Sequence, residues 1–311
     1  VGIIASTVNP SIPKAKLSKN TIMTTRLKTS PAKGMTNMKF GACLEMQFPD
    51  RPFLDRIAAV GKAGVQFAEM WFTDMTWYAA GMNNNDPKHP DKVRAAAAKA
   101  GVTLTNAVIG SPDGTIGSGL TDAKNRRVWL ARAKDTLEFC REAGVGAAIV
   151  CTGNVVKGMP LPRQRRNVLD GLKATAELAE QTGVTLLLEP LNDKVDHPDY
   201  FLTSSDEGAA LCREVKSPRM KLLFDCYHMQ IMEGDLCGHI RRNLDVIGHF
   251  HSAGHPGRHE LWLGETNYLV VVEEIKKTGY QGVFAFEYMP TLPPAESLRQ
   301  ALQYLGGTER A

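Results

Sequence analysis

Residues 181–190 read QTGVTLLLEP. The glycine suits the left-handed residue that closes a helix, and the apolar run behind it suits a strand buried on both faces. The run stops at a carboxylate, Glu189. The same grammar returns as KAGVQF, KAGVTL, EAGVGA and TGYQGV. Working outward from these junctions, strands are expected at 39–44, 65–70, 103–108, 147–151, 185–189, 221–225, 247–251 and 283–287. Helical patterns fill the intervals at 53–63, 90–100, 122–143, 164–182, 205–215, 236–244, 268–278 and 295–305. Eight strands, each followed by a helix, predict an α/β fold: a single-domain parallel (β/α)8 TIM barrel of roughly 250 residues. A doubly wound open sheet competes, but no G-x-G-x-x-G loop follows an early strand.

Hydrophobic residues make up 43% of the 311 and charged residues 23%, the balance of an ordinary globular protein. No apolar run approaches the roughly 20 residues that span a bilayer, so no membrane partner is expected. Much of the net charge of +4 sits at the start of the chain. The remainder is close to neutral and gives no electrostatic ground for nucleic acid. Residues 1–37 hold Lys14, Lys16, Lys19, Arg26, Lys28 and Lys33 and no acidic residue. That composition predicts a disordered or targeting-like basic extension ahead of a barrel at 38–311. The six cysteines show no CxxC pair and no zinc-finger spacing. They fit free thiols in a reducing, cytoplasmic setting, with a cleaved or transit-like leader as the alternative reading of the first 37 residues.

The ends of the last four expected strands carry the chemistry. They stop at Glu189 (TLLLEP), Asp225 (KLLFDCYH), His251 (IGHFHSAG) and Glu287 (GVFAFEYMP). In a parallel barrel these positions share one rim. Three carboxylates and one imidazole form a mostly oxygen-donor set, suited to one divalent ion: Mg²⁺ or Mn²⁺ first, Zn²⁺ or Co²⁺ as alternatives. Taken singly, a carboxylate after a strand reads equally well as the N-cap of the next helix, and His251 as a hydrogen-bonded core histidine. The recurrence on four consecutive strands favours the metal, because three buried carboxylates need a cation nearby.

The strings LLLEPLN, LLFDCYHMQIMEGDL, IGHFHSAGHPGRHE, GETNY and FEYMP together resemble the hydroxypyruvate isomerase family of the xylose-isomerase-like barrels. The resemblance runs from about Met38 to Leu305 and is strongest after Val184. It implies that Glu189 and Glu287 are the catalytic glutamates as well as metal ligands, and that Asp225 is the third ligand. It also implies that His228 contacts a substrate oxygen. Two positions depart from a simple match. Close family members carry Gln where this chain has His251, a residue shared with the sugar epimerases. Those epimerases tend to carry an acidic residue where this chain has Val195.

Arg258 offers a planar fork for a substrate carboxylate, against the plainer reading of a surface arginine. Glu265, in GETNY, is expected to orient a ligand or a loop, and Glu69 closes the second strand facing the site. The leading function is a metal-dependent aldose–ketose-type isomerase that interconverts hydroxypyruvate and tartronate semialdehyde by proton transfer through an enediolate. The alternatives are a ketose 3-epimerase or sugar-acid isomerase on a longer substrate, or a barrel that binds metal and sugar without turnover. The expected partner is a small hydroxy-keto acid or sugar, with a homo-oligomer left open.

Overall fold

The structure, a computed structural model, describes residues 38–83, 86–110 and 119–306. The expectation for residues 1–37 lies outside them. The strands are β1 (Lys39–Cys43), β2 (Phe67–Glu69), the hairpin pair β3 (Thr76–Tyr78) and β4 (Gly81–Asn83), β5 (Thr103–Leu104), β6 (Asn106–Ile109), β7 (Ala147–Val150), β8 (Thr185–Leu188), β9 (Met220–Asp225), β10 (Ile247–Ser252) and β11 (Val283–Phe286). Apart from the antiparallel β3–β4 hairpin, they form one parallel sheet in the order β5-β2-β1-β11-β10-β9-β8-β7-β6.

β5 and β6 are two pieces of the expected third strand, separated by Thr105. The first piece pairs with β2 and the second with β7, so one broken strand joins the two ends of the sheet. The backbone N–H of Met70, just past β2, also donates to the carbonyl of Asn106 at 3.1 Å. Eight staves therefore close into the predicted barrel. Phe224, Phe250, Phe284 and Phe286 are fully buried in its strands. Each such side chain contributes roughly 1.5–3 kcal/mol by burial.

Around the sheet lie α1 (Phe53–Lys62), α2 (Pro90–Ala100), α3 (Arg126–Ala143), α4 (Leu161–Thr182), α5 (Ser205–Val215), α6 (Cys226–Met232), α7 (Leu236–Asn243), α8 (Tyr268–Lys277) and α9 (Pro294–Tyr304). α4 shows how the pattern works: Gln164, Val168, Leu172, Thr175, Ala176 and Ala179 make one buried stripe at helical spacing. Its C-cap is Gly183, at φ 76°, the left-handed conformation expected from QTGV.

Two elements go beyond the sequence reading. The β3–β4 hairpin occupies the β2–α2 connection, and the short helix α6 starts immediately after Asp225. Among the described residues no helix is long and apolar enough to cross a membrane. All six cysteines are free, five of them buried.

Candidate active site

The four strand-end residues meet. One ligand atom from each of Glu189, Asp225, His251 and Glu287 lies within 4.8 Å of all the others, and all four residues are buried. Backbone register produces this. His251 pairs with Asp225 across β10–β9, and Glu287, one residue past β11, donates its N–H to the carbonyl of Ser252 at 3.0 Å. Glu189, one residue past β8, is held by its N–H on the carbonyl of Val150 at 3.0 Å. Tyr200 Oη donates to the Glu189 carbonyl at 3.2 Å.

His251 is the hub. Its Nδ1 lies 3.3 Å from Glu189 Oε1, 3.3 Å from Glu287 Oε2 and 4.0 Å from Asp225 Oδ2. Neither ring nitrogen makes a well-formed hydrogen bond. On the far side Nε2 lies 3.0 Å from Glu69 Oε1. Glu69 is itself held at Oε2 by Asn106 Nδ2 and His249 Nε2, each at 2.9 Å. Glu69 thus backs the donor cluster, as its strand-end position predicts.

Burial disfavours charge on all these groups, and the neighbours decide each outcome. Burial and the Glu287 and Glu189 charges push Asp225 up to about 7, against the pull of His251. Burial likewise raises Glu189, with His251 offsetting part of it. Burial would also raise Glu287, but the His251 and Arg258 charges outweigh it and hold this carboxyl well below the usual range. For His251 burial opposes the imidazolium, yet Glu69 and Glu287 carry it well above an ordinary imidazole. The cluster therefore demands a counter-charge. Three carboxylates, one imidazole and an Nδ1 that lacks a hydrogen-bond partner fit a divalent cation.

Asp225 divides its two oxygens between a helix cap and the cluster. Oδ1 accepts from the N–H groups of Tyr227 (2.7 Å) and His228 (3.3 Å), capping α6, while Oδ2 lies between His228 Nε2 (3.5 Å) and His251 Nδ1 (4.0 Å). His228, carried on that helix, accepts at Nδ1 from the Asn192 backbone (3.2 Å) and lies 2.6 Å from Asn192 Nδ2. Its Nε2 is therefore the protonated nitrogen; it lies 3.5 Å from Asp225 Oδ2 and makes no well-formed hydrogen bond. Burial, with the Arg258 charge nearby, keeps this imidazole neutral.

The cluster lies at a cavity of about 280 Å³, lined among others by Trp71, Phe72, Trp77, Cys151, His228 and Arg258. Arg258 reaches it with its guanidinium over the Tyr227 ring, 5.1 Å from the centroid. Nη2 donates to Glu287 Oε2 at 2.5 Å, so half of the predicted fork is already engaged by a protein carboxylate. Nη1 has no hydrogen-bond partner among the described residues. Glu265 is exposed and accepts from Gln230 Nε2 at 3.2 Å, so it ties a loop to α6 and does not join the donor cluster.

The stretch MWFTDMTWYAAGMNN reads from sequence as a sugar-pocket lining or as lid and core packing, and its Trp71 and Trp77 line the cavity; sequence reasoning missed His197 there, and Asn106, Asn192 and His249 as supports. The indole of Trp71 donates to Glu287 Oε1 at 2.8 Å. The imidazole of His197 faces that of His228 at 5.4 Å between centroids. Burial, aided by Arg258, lowers His197 to about 4. The aromatic run MWFTDMTW was the available signal for Trp71 and Trp77; His197 in the DHPDY loop left none.

A family model described as xylose isomerase-like TIM barrel matches residues 57–307. A 2-oxo-tetronate isomerase of Cupriavidus necator is 35% identical over 278 residues, covering 86% of this chain and 99% of that protein. A putative hydroxypyruvate isomerase of Homo sapiens is 27% identical over 281 residues, covering 87% and 96%. Among solved structures, an AP endonuclease, family 2, from Brucella melitensis matches with a TM-score of 0.76 at 23% identity, over 86% of this chain and 99% of that one. A D-psicose 3-epimerase from Clostridium cellulolyticum H10 gives 0.68 at 19% identity, over 86% and 98%. At these identities the structural likenesses show the fold alone.

Proposed function

This chain belongs to the xylose isomerase-like TIM barrel family, and we propose that it is a divalent-metal-dependent isomerase of short 2-oxo acids that carry a hydroxyl on C3. The reaction exchanges carbonyl and hydroxyl between C2 and C3. Hydroxypyruvate and 2-oxo-tetronate share this reacting unit and differ only by a hydroxymethyl group on C3. The observation that carries the reading is the convergence of four buried donors, two of which, Glu189 and Glu287, line a cavity that also holds one imidazole N–H and one guanidinium. The relatives named isomerases of these two acids support it.

Each protein group has a task. Arg258 offers Nη1 to the C1 carboxylate, a charge-assisted contact. His228 donates from Nε2 to a substrate oxygen. Glu189 and Glu287 lie at equal distance from His251 Nδ1 and flank the place of the reacting carbons. One accepts the proton that leaves C3, and the other supplies the proton that arrives at C2; the hydroxyl hydrogen lost from O3 is matched by one gained on O2. A divalent ion held by Glu189, Asp225, His251 and Glu287 would supply the positive charge that stabilises an enediolate. The four-carbon acid is the preferred substrate. The cavity lining also includes Trp77 and His197, polar partners for a C4 hydroxyl, and the 35% identical relative is named for that acid.

The test is proton NMR of both acids in D₂O with protein stripped by chelation and reloaded with Mg²⁺. Metal-dependent deuterium incorporation and isomerisation are expected, faster on 2-oxo-tetronate. Full activity after stripping, or faster turnover of an uncharged ketose than of either acid, would overturn the reading.

A further inference from the structure

We propose that Trp71 is a positioning residue for Glu287, fixing the plane of that carboxylate through its indole N–H. The proposal rests on the acid–base role of Glu287 argued above. Trp71 follows β2 by two residues, and its Nε1 reaches Oε1 of Glu287 at 2.8 Å across 216 residues of sequence. The other oxygen, Oε2, takes Arg258 Nη2 and faces His251 Nδ1 at 3.3 Å. Oε2 is therefore the oxygen on the donor-cluster side, and Oε1 is the one left for proton transfer. The final torsion of a glutamate is soft and broad. Two donors in fixed places remove that freedom and aim the remaining lone pair of Oε1.

Trp71 is itself anchored from behind. Its backbone N–H donates to Glu45 Oε2 at 3.0 Å, and its carbonyl accepts from the Val108 N–H at 2.7 Å. Glu45 Oε1 pairs with Lys88 Nζ at 3.0 Å, with both side chains at most 1% exposed. Lys88 Nζ also donates to the carbonyls of Phe72 and Met75. A buried ion pair whose remaining donors are spent on the 72–75 backbone leaves this segment little room to shift. Among the described residues no donor clamps the Glu189 carboxylate in a comparable way. Among the described residues its carboxylate has His251 as its one close side-chain contact. The two glutamates are thus held unequally, Glu287 tightly by Trp71 and Arg258, and Glu189 loosely.

A plainer role for Trp71 is as an aromatic wall, since its ring also sits 6.4 Å from that of Trp77. Trp71→Phe separates the two, because it keeps a wall and deletes the N–H. In the Mg²⁺-loaded protein we expect kcat to fall about ten- to a hundredfold, the loss of one hydrogen bond to a charged group. The KM and the Mg²⁺ dissociation constant should stay within about threefold. A kcat within about twofold of the parent, or a parallel loss of Mg²⁺ affinity, would overturn the proposal. A second readout needs no substrate. With ¹⁵N-labelled tryptophan the four indole N–H signals are resolvable, and Trp71→Phe assigns one of them. That signal should shift when Glu287→Gln replaces the carboxylate by a weaker acceptor, and an unmoved signal would overturn the contact. If both acids prove inert while the signal responds, the substrate reading falls and the Trp71–Glu287 contact stands.

Discussion

Replacing Glu69 by glutamine should weaken metal binding without a direct change to any of the four donors. Asn106 Nδ2 and His249 Nε2 both converge on Oε2 of Glu69 at 2.9 Å. An amide at position 69 must therefore turn its oxygen to them, and its NH₂ then takes the place of Oε1, 3.0 Å from His251 Nε2. Facing a donor, Nε2 gives up its hydrogen and becomes an acceptor, and the remaining ring hydrogen stays on Nδ1. That is the nitrogen the cluster needs bare, since it points at Glu189, Asp225 and Glu287. To bind an ion the ring must regain Nε2–H and oppose it to the new NH₂. Loss of a partner behind a ligating histidine typically costs ten- to a hundredfold in affinity, or about 1.4–2.7 kcal/mol. The assay is titration of chelated protein with Mn²⁺, following the free ion by electron paramagnetic resonance. The metal-free protein should lose stability, because the variant takes the carboxylate away from the buried His251 that it holds charged. An affinity within about twofold of the parent would refute the argument. So would a parent that binds two ions and a variant that binds one, since Glu69, His249 and His251 also bring ligand atoms within 4.8 Å of one another.

Three further outcomes follow from the same geometry. Arg258→Met should raise the KM for a 2-oxo acid about ten- to a hundredfold and leave Mn²⁺ binding in place; normal kinetics would remove Arg258 as the carboxylate partner. Glu287→Gln should lower turnover on the order of a hundredfold or more, and near-native turnover in a rapid-quench assay would leave it a ligand only. Glu260→Gln should cost about 1–3 kcal/mol in urea unfolding, because its buried carboxylate accepts from Thr291 N and Oγ1, Leu292 N and Ser297 Oγ, ahead of α9. Burial would raise Glu260, but these donors hold it below its ordinary value. Its contribution is therefore complete above the unfolded value near pH 4.3 and lost as pH falls through the lower folded value, so parent and variant should converge in acid.

The barrel was legible because its signals are local. Gly101, Gly144 and Gly183 each close a helix in the left-handed conformation, and a strand follows within a few residues. Where tertiary pairing decides, the sequence pattern falls short. Residues 103–108 carry nothing that marks a break at Thr105, because the break exists to let one strand serve two neighbours. The β3–β4 hairpin was hidden for a related reason: TWYAAGMN has neither the alternation of a half-buried ribbon nor an Asn-Gly turn. α6 was missed because Cys226–Met232 is only seven residues long, too short for a periodic pattern to declare itself.

The donor cluster was legible for a different reason, and Asp225 shows its limit. From sequence alone, a carboxylate at the end of a strand reads either as a ligand or as a helix cap. The two readings are not rivals. A carboxylate has two oxygens, and the backbone assigns them separately, Oδ1 to the N–H groups of α6 and Oδ2 to the cluster. The cap is what aims the second oxygen, and the helix it starts delivers His228 to the cavity three residues later. Glu287 repeats the arrangement with side chains in place of a helix: Oε1 goes to Trp71 and Oε2 to the cluster and Arg258. In both residues one oxygen is held so that the other is placed, and only the placed oxygen has a strand-end signature. The holding groups come from 216 residues away for Glu287 and from the next turn for Asp225. That is why Asp225's support could have been read from the chain, while the contact of Trp71 with Glu287 could not.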